Sequence, residues 1–261
     1  MGIWISREFF TSTPLRPDRP PISGNEGLQA LFRAEKIDQY LQQVSQSAVN
    51  RKARIDYTYM PTVHSIDREI PSKDESQPWP SGQVIWMSPS ADGGLPHTRP
   101  PNYICISSSF PQEKLANTLL HERVHVSQRL HPKVWETIVA DVWDMKPWSG
   151  KLPDSIRTRL RINPDLSMAP MFIWKNNYVS LGVFKNESIP KLSEIDVVWW
   201  MPSTQTLLQS PPPGWTEFFG TNEAGEHPYE IAAYLIAGNP SGNKAYELLK
   251  SRFGSIPKIE V

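Results

Sequence analysis

Cysteine is nearly absent from this 261-residue sequence, with Cys105 alone. No intrachain disulfide can form, so stability must come from packing, and the lone thiol suits a reducing compartment. Its setting, Tyr103-Ile104-Cys105-Ile106, reads as a small core side chain rather than a nucleophile. Long apolar runs are also missing. Nothing reaches the roughly 18 residues of a membrane-spanning helix, and the N-terminus lacks the apolar stretch of a secretory signal. The expectation is a cytoplasmic chain. Met1-Gly2-Ile3-Trp4-Ile5-Ser6 fits the loose myristoylation pattern, but a single acyl chain holds a protein to a membrane only marginally. Asn186-Glu187-Ser188 matches a glycosylation sequon, which carries no weight without an export signal. An excess of one charge is lacking too. Lys and Arg total 27, Asp and Glu total 27, and no long basic run occurs, so nothing points to a nucleic-acid partner.

Proline and aromatic residues are plentiful. The chain holds 26 Pro, about twice the ordinary share, with 10 Trp, 9 Phe and 8 Tyr. The prolines gather in connecting stretches such as Pro14–Pro21, Pro71–Pro80 and Pro211-Pro212-Pro213. Aromatic residues continue throughout, which implies a compact body with stiffened loops. With no internal repeat or clear linker, one domain over 1–261 is expected. Residues 1–24 form an irregular arm in this reading, and a C-terminal lobe from about 148 is the alternative.

Pattern reading predicts a mixture of elements. Residues 25–49 carry a rough helical stripe of Leu28, Leu31, Phe32, Ile37, Tyr40, Leu41 and Val44. Strands are expected at 54–60, 83–88 and 103–107, and a helix runs from a Ser109 cap, with Gln112 completing a capping box, to about Leu130. A second helix follows over 133–145, then a loop-rich basic stretch over 148–168. A hairpin over 170–184 turns at Asn176-Asn177, and Ile195 to Met201 is a further strand. Helices begin at Pro228 and at about residue 242. The fold class is α+β, with a small mixed or antiparallel sheet packed on the 109–130 helix and a mainly helical C-terminal part. Trp-rich segments between 171 and 219 read as core.

The informative stretch is His121-Glu122-Arg123-Val124-His125, H-E-x-x-H. Four residues of helix advance about 400° and rise about 6 Å, so both imidazoles leave one face and can bind one metal ion. Glu122 stands beside them as a candidate general base, the arrangement of zinc hydrolases. A catalytic zinc needs a third protein ligand and an open position. The longer pattern H-E-x-x-H-x-x-G-x-x-H fails, because Gln128 stands where it needs glycine, although His131 falls at the right distance as a minor candidate ligand. Glu230 lies in the first turn of an apolar helix, where the dipole favours a carboxylate in any case; Ala232 and Ala233 would let that helix pack closely against another.

The pair His121-Glu122-x-x-His125-Val126-x-Gln128 and His227-Pro228-x-Glu230-x-x-Ala233 resembles gluzincin-type metallopeptidase families with HExxHVxQ and a distal NPxExxA. His227 replaces the commoner Asn. The resemblance covers two short motifs. It implies a zincin-like fold, Zn²⁺ held by His121, His125 and Glu230, Glu122 as base, and a peptide or protein substrate. Tyr234 and His227 are the leading candidates to stabilise an oxyanion, followed by Tyr229 and Tyr178. Asp165 and Asp141 are candidates to orient the histidines, although Asn163-Pro164-Asp165 reads more readily as a turn on a solvated loop. Gln128 is expected to hydrogen-bond the strand or the second metal helix. A competing reading is a catalytically silent zincin-fold protein with a structural zinc, closed by a fourth ligand such as His131 or His227. A third is a metal hydrolase acting on a non-peptide amide.

Overall fold

A computed structural model of the protein describes residues 24–53, 65–67, 79–80, 82–220 and 225–256. The expected strand at 54–60 and most of the N-terminal arm lie outside them. The fold is mixed α+β.

The N-terminal helical region is broken into α1 (Gly24–Asp38), α2 (Tyr40–Gln46) and α3 (Ala48–Ala53) rather than one helix. Gln39 takes a left-handed φ of 51° between the first two. The break has a tertiary cause. Asp38 and Glu35 turn their carboxylates onto the buried guanidinium of Arg99, with Nε to Asp38 Oδ2 at 2.7 Å and Nη2 to Glu35 Oε2 at 2.9 Å. The same two side chains accept the backbone N–H groups of Tyr40, Leu41 and Gln42, replacing bonds an unbroken helix would make. Phe32 and Ile37 of the predicted stripe are exposed, while Leu31, Tyr40 and Val44 are buried.

The first sheet has the order β1-β2-β4-β3, from β1 (Ser65–Asp67), β2 (Gln83–Met87), β3 (His97–Arg99) and β4 (Tyr103–Ser107). β2 and β4 are parallel, and β1 and β3 flank them antiparallel. β2 and β4 are buried almost throughout, as strands covered on both faces must be. β4 passes through a tight turn into α4 (Gln112–Leu130), which carries the H-E-x-x-H stretch. The expected capping box does not form. Pro111 occupies the N-cap, because the 107–110 turn binds Phe110 N–H to Ser107 O and ties the Ser109 hydroxyl to that of Ser107. Leu115, Leu119 and Val126 of α4 pack on the sheet with Val84, Ile104 and Ile106.

α5 (Pro132–Trp143) follows directly, with Pro132 in its first turn. The C-terminal half differs from the mainly helical expectation. It holds β6 (Met171–Trp174), paired antiparallel with β5 (Met145–Trp148), and a three-stranded sheet of β7 (Val179–Phe184), β8 (Ile195–Met201) and β9 (Thr206–Leu208). The predicted hairpin is therefore only a turn between two sheets. Lys175 and Asn176 adopt φ of 51° and 57°, one residue earlier than expected, and only a Trp174–Tyr178 bridge joins the arms. The stretch read as loop, 148–168, contains the single helical turn α6 (Asp154–Arg157) and a segment that bridges β7 at Leu160–Val183, while β5 begins at the last residue of the expected 133–145 helix.

The main core is aromatic. Trp135, Trp143, Trp174, Trp199, Trp215 and Phe219 pack between α5, the strands, α7 (Trp215–Phe219) and α9 (Lys244–Lys250). Trp174 meets Trp215 edge-on at 5.1 Å, and Trp143 meets Phe219 at 5.4 Å, the geometry that ring quadrupoles favour. Two indole N–H groups are satisfied, Trp135 by Ser127 Oγ and Trp143 by Ala245 O. α8 (Pro228–Gly238) crosses this core and lies against α4, with Ala232 and Ala233 fully buried. Among the described residues, no helix is long and apolar enough to cross a membrane.

Candidate metal centre

Close packing of α8 on α4 brings Glu230 to the two histidines. His121 Nε2 and His125 Nε2 lie 3.0 Å apart, and Glu230 Oε2 is 3.6 Å from the first and 3.5 Å from the second. Ligands about 2.1 Å from one ion in tetrahedral array are about 3.4 Å from each other. Three donors at such spacings, of the N, N, O type that zinc accepts, fit a divalent cation. Among the described residues this is the group of His, Cys, Asp and Glu side chains that could hold one.

The hydrogen bonds around the triad set its chemistry. Gln128 Nε2 donates to the Tyr229 carbonyl of α8 at 3.0 Å, which leaves Oε1 to accept from His125 Nδ1–H at 2.7 Å. In the neutral ring, the form that binds a metal, that leaves the lone pair on Nε2, the atom facing Glu230 and His121. Gln128 thus links the first helix to the second, one of its two expected roles. Glu230 is held by the Asn163 side-chain amide, whose Nδ2 lies 2.6 Å from Oε1 and also donates to Glu226 Oε1 at 3.0 Å. Burial raises the Glu230 pKa, but His125 and His121 outweigh it and hold the carboxyl well below its usual range. Burial lowers the His125 pKa, and the Glu230, Asp165 and Glu122 carboxylates reverse this, raising it to about 10.

Glu122 is 2% exposed, and its Oε2 has no hydrogen-bond partner among the described residues. Burial first, then the Asp165 and Glu230 carboxylates, push its pKa well above the ordinary value. A buried carboxylate oxygen without a partner is costly unless it has a use. Glu122 faces a cleft of about 590 Å³ together with His121 and Glu230. Tyr234 lines the same cleft, stands edge-on to His121 at 4.5 Å and is 53% exposed. Burial and Glu230 raise its phenol to about 12, so it keeps its proton, and can donate a hydrogen bond, over the physiological range.

Other expected site residues lie elsewhere. His227 does not face the cleft. Its Nδ1 accepts the Tyr229 N–H as the N-cap of α8, and its Nε2–H donates to Pro170 O at 2.9 Å. Both ring nitrogens are occupied, so it has nothing to offer an oxyanion or a metal, and burial lowers its pKa to about 4. His131 caps the end of α4 and is not part of the triad. Tyr229 is buried with its hydroxyl 3.5 Å from Pro132 O, and Tyr178 pairs with Trp174. Asp141 is half-exposed near Arg252. Asp165 spends Oδ1 on the backbone and hydroxyl of Thr98, at 2.6 and 2.7 Å, rather than on a histidine. The Asn163–Asp165 turn does form, with Asn163 Oδ1 accepting Asp165 N–H, but Asn163 is buried, not solvated.

Pattern reading missed Asn163, Arg161 and Glu226. Arg161 lines the cleft and donates from Nη1 to Glu226 Oε1 at 3.1 Å. No protein-family model, curated protein or solved structure matches the chain.

Proposed function

We propose that the chain is a metal-dependent hydrolase of zincin-like build, acting on amide bonds and most simply a zinc peptidase. The observation that carries this is the convergence of His121, His125 and Glu230, with His121 and Glu230 facing one cleft beside Glu122, whose Oε2 has no partner among the described residues. A bound Zn²⁺ would supply Lewis-acid polarisation of a carbonyl and lower the pKa of water.

The chain's own groups account for the proton traffic. Glu122, desolvated and next to two other carboxylates, is the stronger base for its burial. It takes a proton from water as the oxygen adds to the carbonyl carbon and the carbonyl pair moves to oxygen. It then returns that proton to the amide nitrogen as the C–N bond breaks, leaving a carboxylic acid and an amine. Tyr234 stands at the mouth of the triad with its phenol protonated, a donor for the oxygen that gains charge. The closed, structural-zinc alternative needs a fourth protein ligand; His227 has both ring nitrogens occupied, and His131, past the end of α4, lies outside the group of donors that converges among the described residues.

Metal analysis and peptide hydrolysis test the reading. Chelation abolishes hydrolysis and added zinc restores it. Glu122→Gln retains zinc and loses about 10²–10⁴-fold in kcat. Full activity in that variant, or no zinc uptake by the unaltered protein, overturns the reading.

A further inference from the structure

Arg161 is the one Lys or Arg lining the cleft among the described residues. Its position is built in at several points. The Arg161 N–H donates to Gly182 O at 2.9 Å, which anchors the backbone on β7. Nη1 is held by Glu226 Oε1, and that oxygen is fixed in turn by Asn163. The Ser180 hydroxyl donates to Glu226 O. At Gly182 a β-carbon would fall 1.8 Å from Glu226 Oε2, so only glycine leaves room for this carboxylate. The Arg161 side chain keeps 19% exposure, and its Nε is buried without a partner among the described residues. A guanidinium has five N–H donors, and this one, oriented by one carboxylate and part-exposed in the cleft, is prepared there for an oxygen that the protein does not supply.

Two kinds of oxygen could take those donors, a substrate carboxylate or a carbonyl. The charges decide between them. Glu122, Asp165, Glu226 and Glu230 all line the cleft. A carboxylate brings its full charge into this acid-rich lining on entry, whereas a carbonyl oxygen is neutral on entry and becomes negative only as water adds.

We propose that Arg161 is a catalytic residue of this site, donating to the scissile carbonyl oxygen and to the oxyanion it becomes. Glu226 and Gly182 are the positioning residues behind it. The inference rests on the hydrolase reading above. Preorganised donors of this kind act in the transition state, so their loss falls on kcat more than on KM.

The test uses the zinc-loaded full chain and a fluorogenic library of peptides with apolar residues, because Leu192, Ile195 and Val197 line the cleft. Arg161→Met is expected to lower kcat by about 100-fold or more, with zinc content and Tm unchanged and KM moved less than about threefold. Arg161→Lys recovers part of the loss. Affinity for a peptide phosphonamidate, tetrahedral and anionic, falls in parallel with kcat/KM, while affinity for a peptide hydroxamate holds. Should Arg161→Met lose zinc or melt early, Arg161→Lys and Glu226→Gln carry the same measurements. A kcat within about threefold of the unaltered protein, or equal losses of both inhibitors, overturns the inference and leaves the hydrolase reading standing. An unaltered protein that loads zinc but neither cleaves nor binds the phosphonamidate removes both.

Discussion

Asn163 holds Glu230 by a 2.6 Å hydrogen bond reaching from a loop 67 residues earlier in the chain. Because the same amide also holds Glu226, it keeps two neighbouring carboxylates apart and directs one oxygen of Glu230 toward the histidines. Removing it should free Glu230 to rotate and raise the repulsion between the two acids. Asn163→Ala is expected to weaken zinc binding about 10–100-fold, and Asn163→Asp more. Competition with a chromophoric chelator measures this, and unchanged affinity in both variants would show that Glu230 needs no such support.

Proton release should accompany metal loading. Glu230 and its neighbouring acids raise the His125 pKa to about 10 against the effect of burial, so at neutral pH the metal-free triad carries a proton that an ion must displace. Affinity for zinc should therefore fall as pH falls. Titration calorimetry in buffers of different ionisation enthalpy should report release of about one proton at pH 7. In Glu230→Gln, where the main opposing charge is gone, the released fraction should drop sharply.

His227 predicts a different pH dependence, one of folding. Its pKa falls from 6.5 to about 4, chiefly through burial, with Pro170 O and Glu230 opposing. The unfolded chain binds the proton more tightly, so the contribution is whole above about pH 6.5 and is lost as pH falls toward 4, about 3 kcal/mol in all. His227→Asn keeps an N-capping side chain without a titrating ring. Its urea-unfolding free energy should decline less between those pH values than that of the unaltered protein; parallel curves would remove His227 from the account.

Gly182→Ala should unsettle Glu226 without touching the triad. The added carbon collides with Oε2 and also lies 3.0 Å from the Glu226 carboxyl carbon, so the side chain must leave its place beside Arg161 and Asn163. A loss of about 1–3 kcal/mol in stability is expected, read from denaturant midpoints at constant m. A loss below about 0.5 kcal/mol would mean that Glu226 has another rotamer as good.

The α4 site residues were legible in the sequence because one helix carries them, and helical spacing alone puts His121 and His125 on a single face. Glu230 was reachable through Pro228, Ala232 and Ala233, which mark a helix start and a close-packing surface. His227 was misread for the opposite reason. A histidine just before Pro228 stands at the N-cap, and that local role occupies the nitrogen that catalysis would need. Arg161, Asn163 and Glu226 gave no periodic signal, since their roles exist only once β7 and the turn before α8 meet. The long helix expected over 25–49 failed similarly. Its break depends on Arg99, a partner distant in sequence.

The packing of α8 on α4 also constrains how the cleft can move. Gln128 stitches one helix to the other just beside the triad, and buried Ala232 and Ala233 leave little slack between them. A slip of even one helical turn, about 5.4 Å, would carry Glu230 out of reach of both imidazoles. The floor of the cleft is thus an anvil, unable to yield without dismantling itself. Widening to admit a bulky chain falls instead to the parts of the lining outside that stitch, Leu95, Leu192 and Ile195 among them.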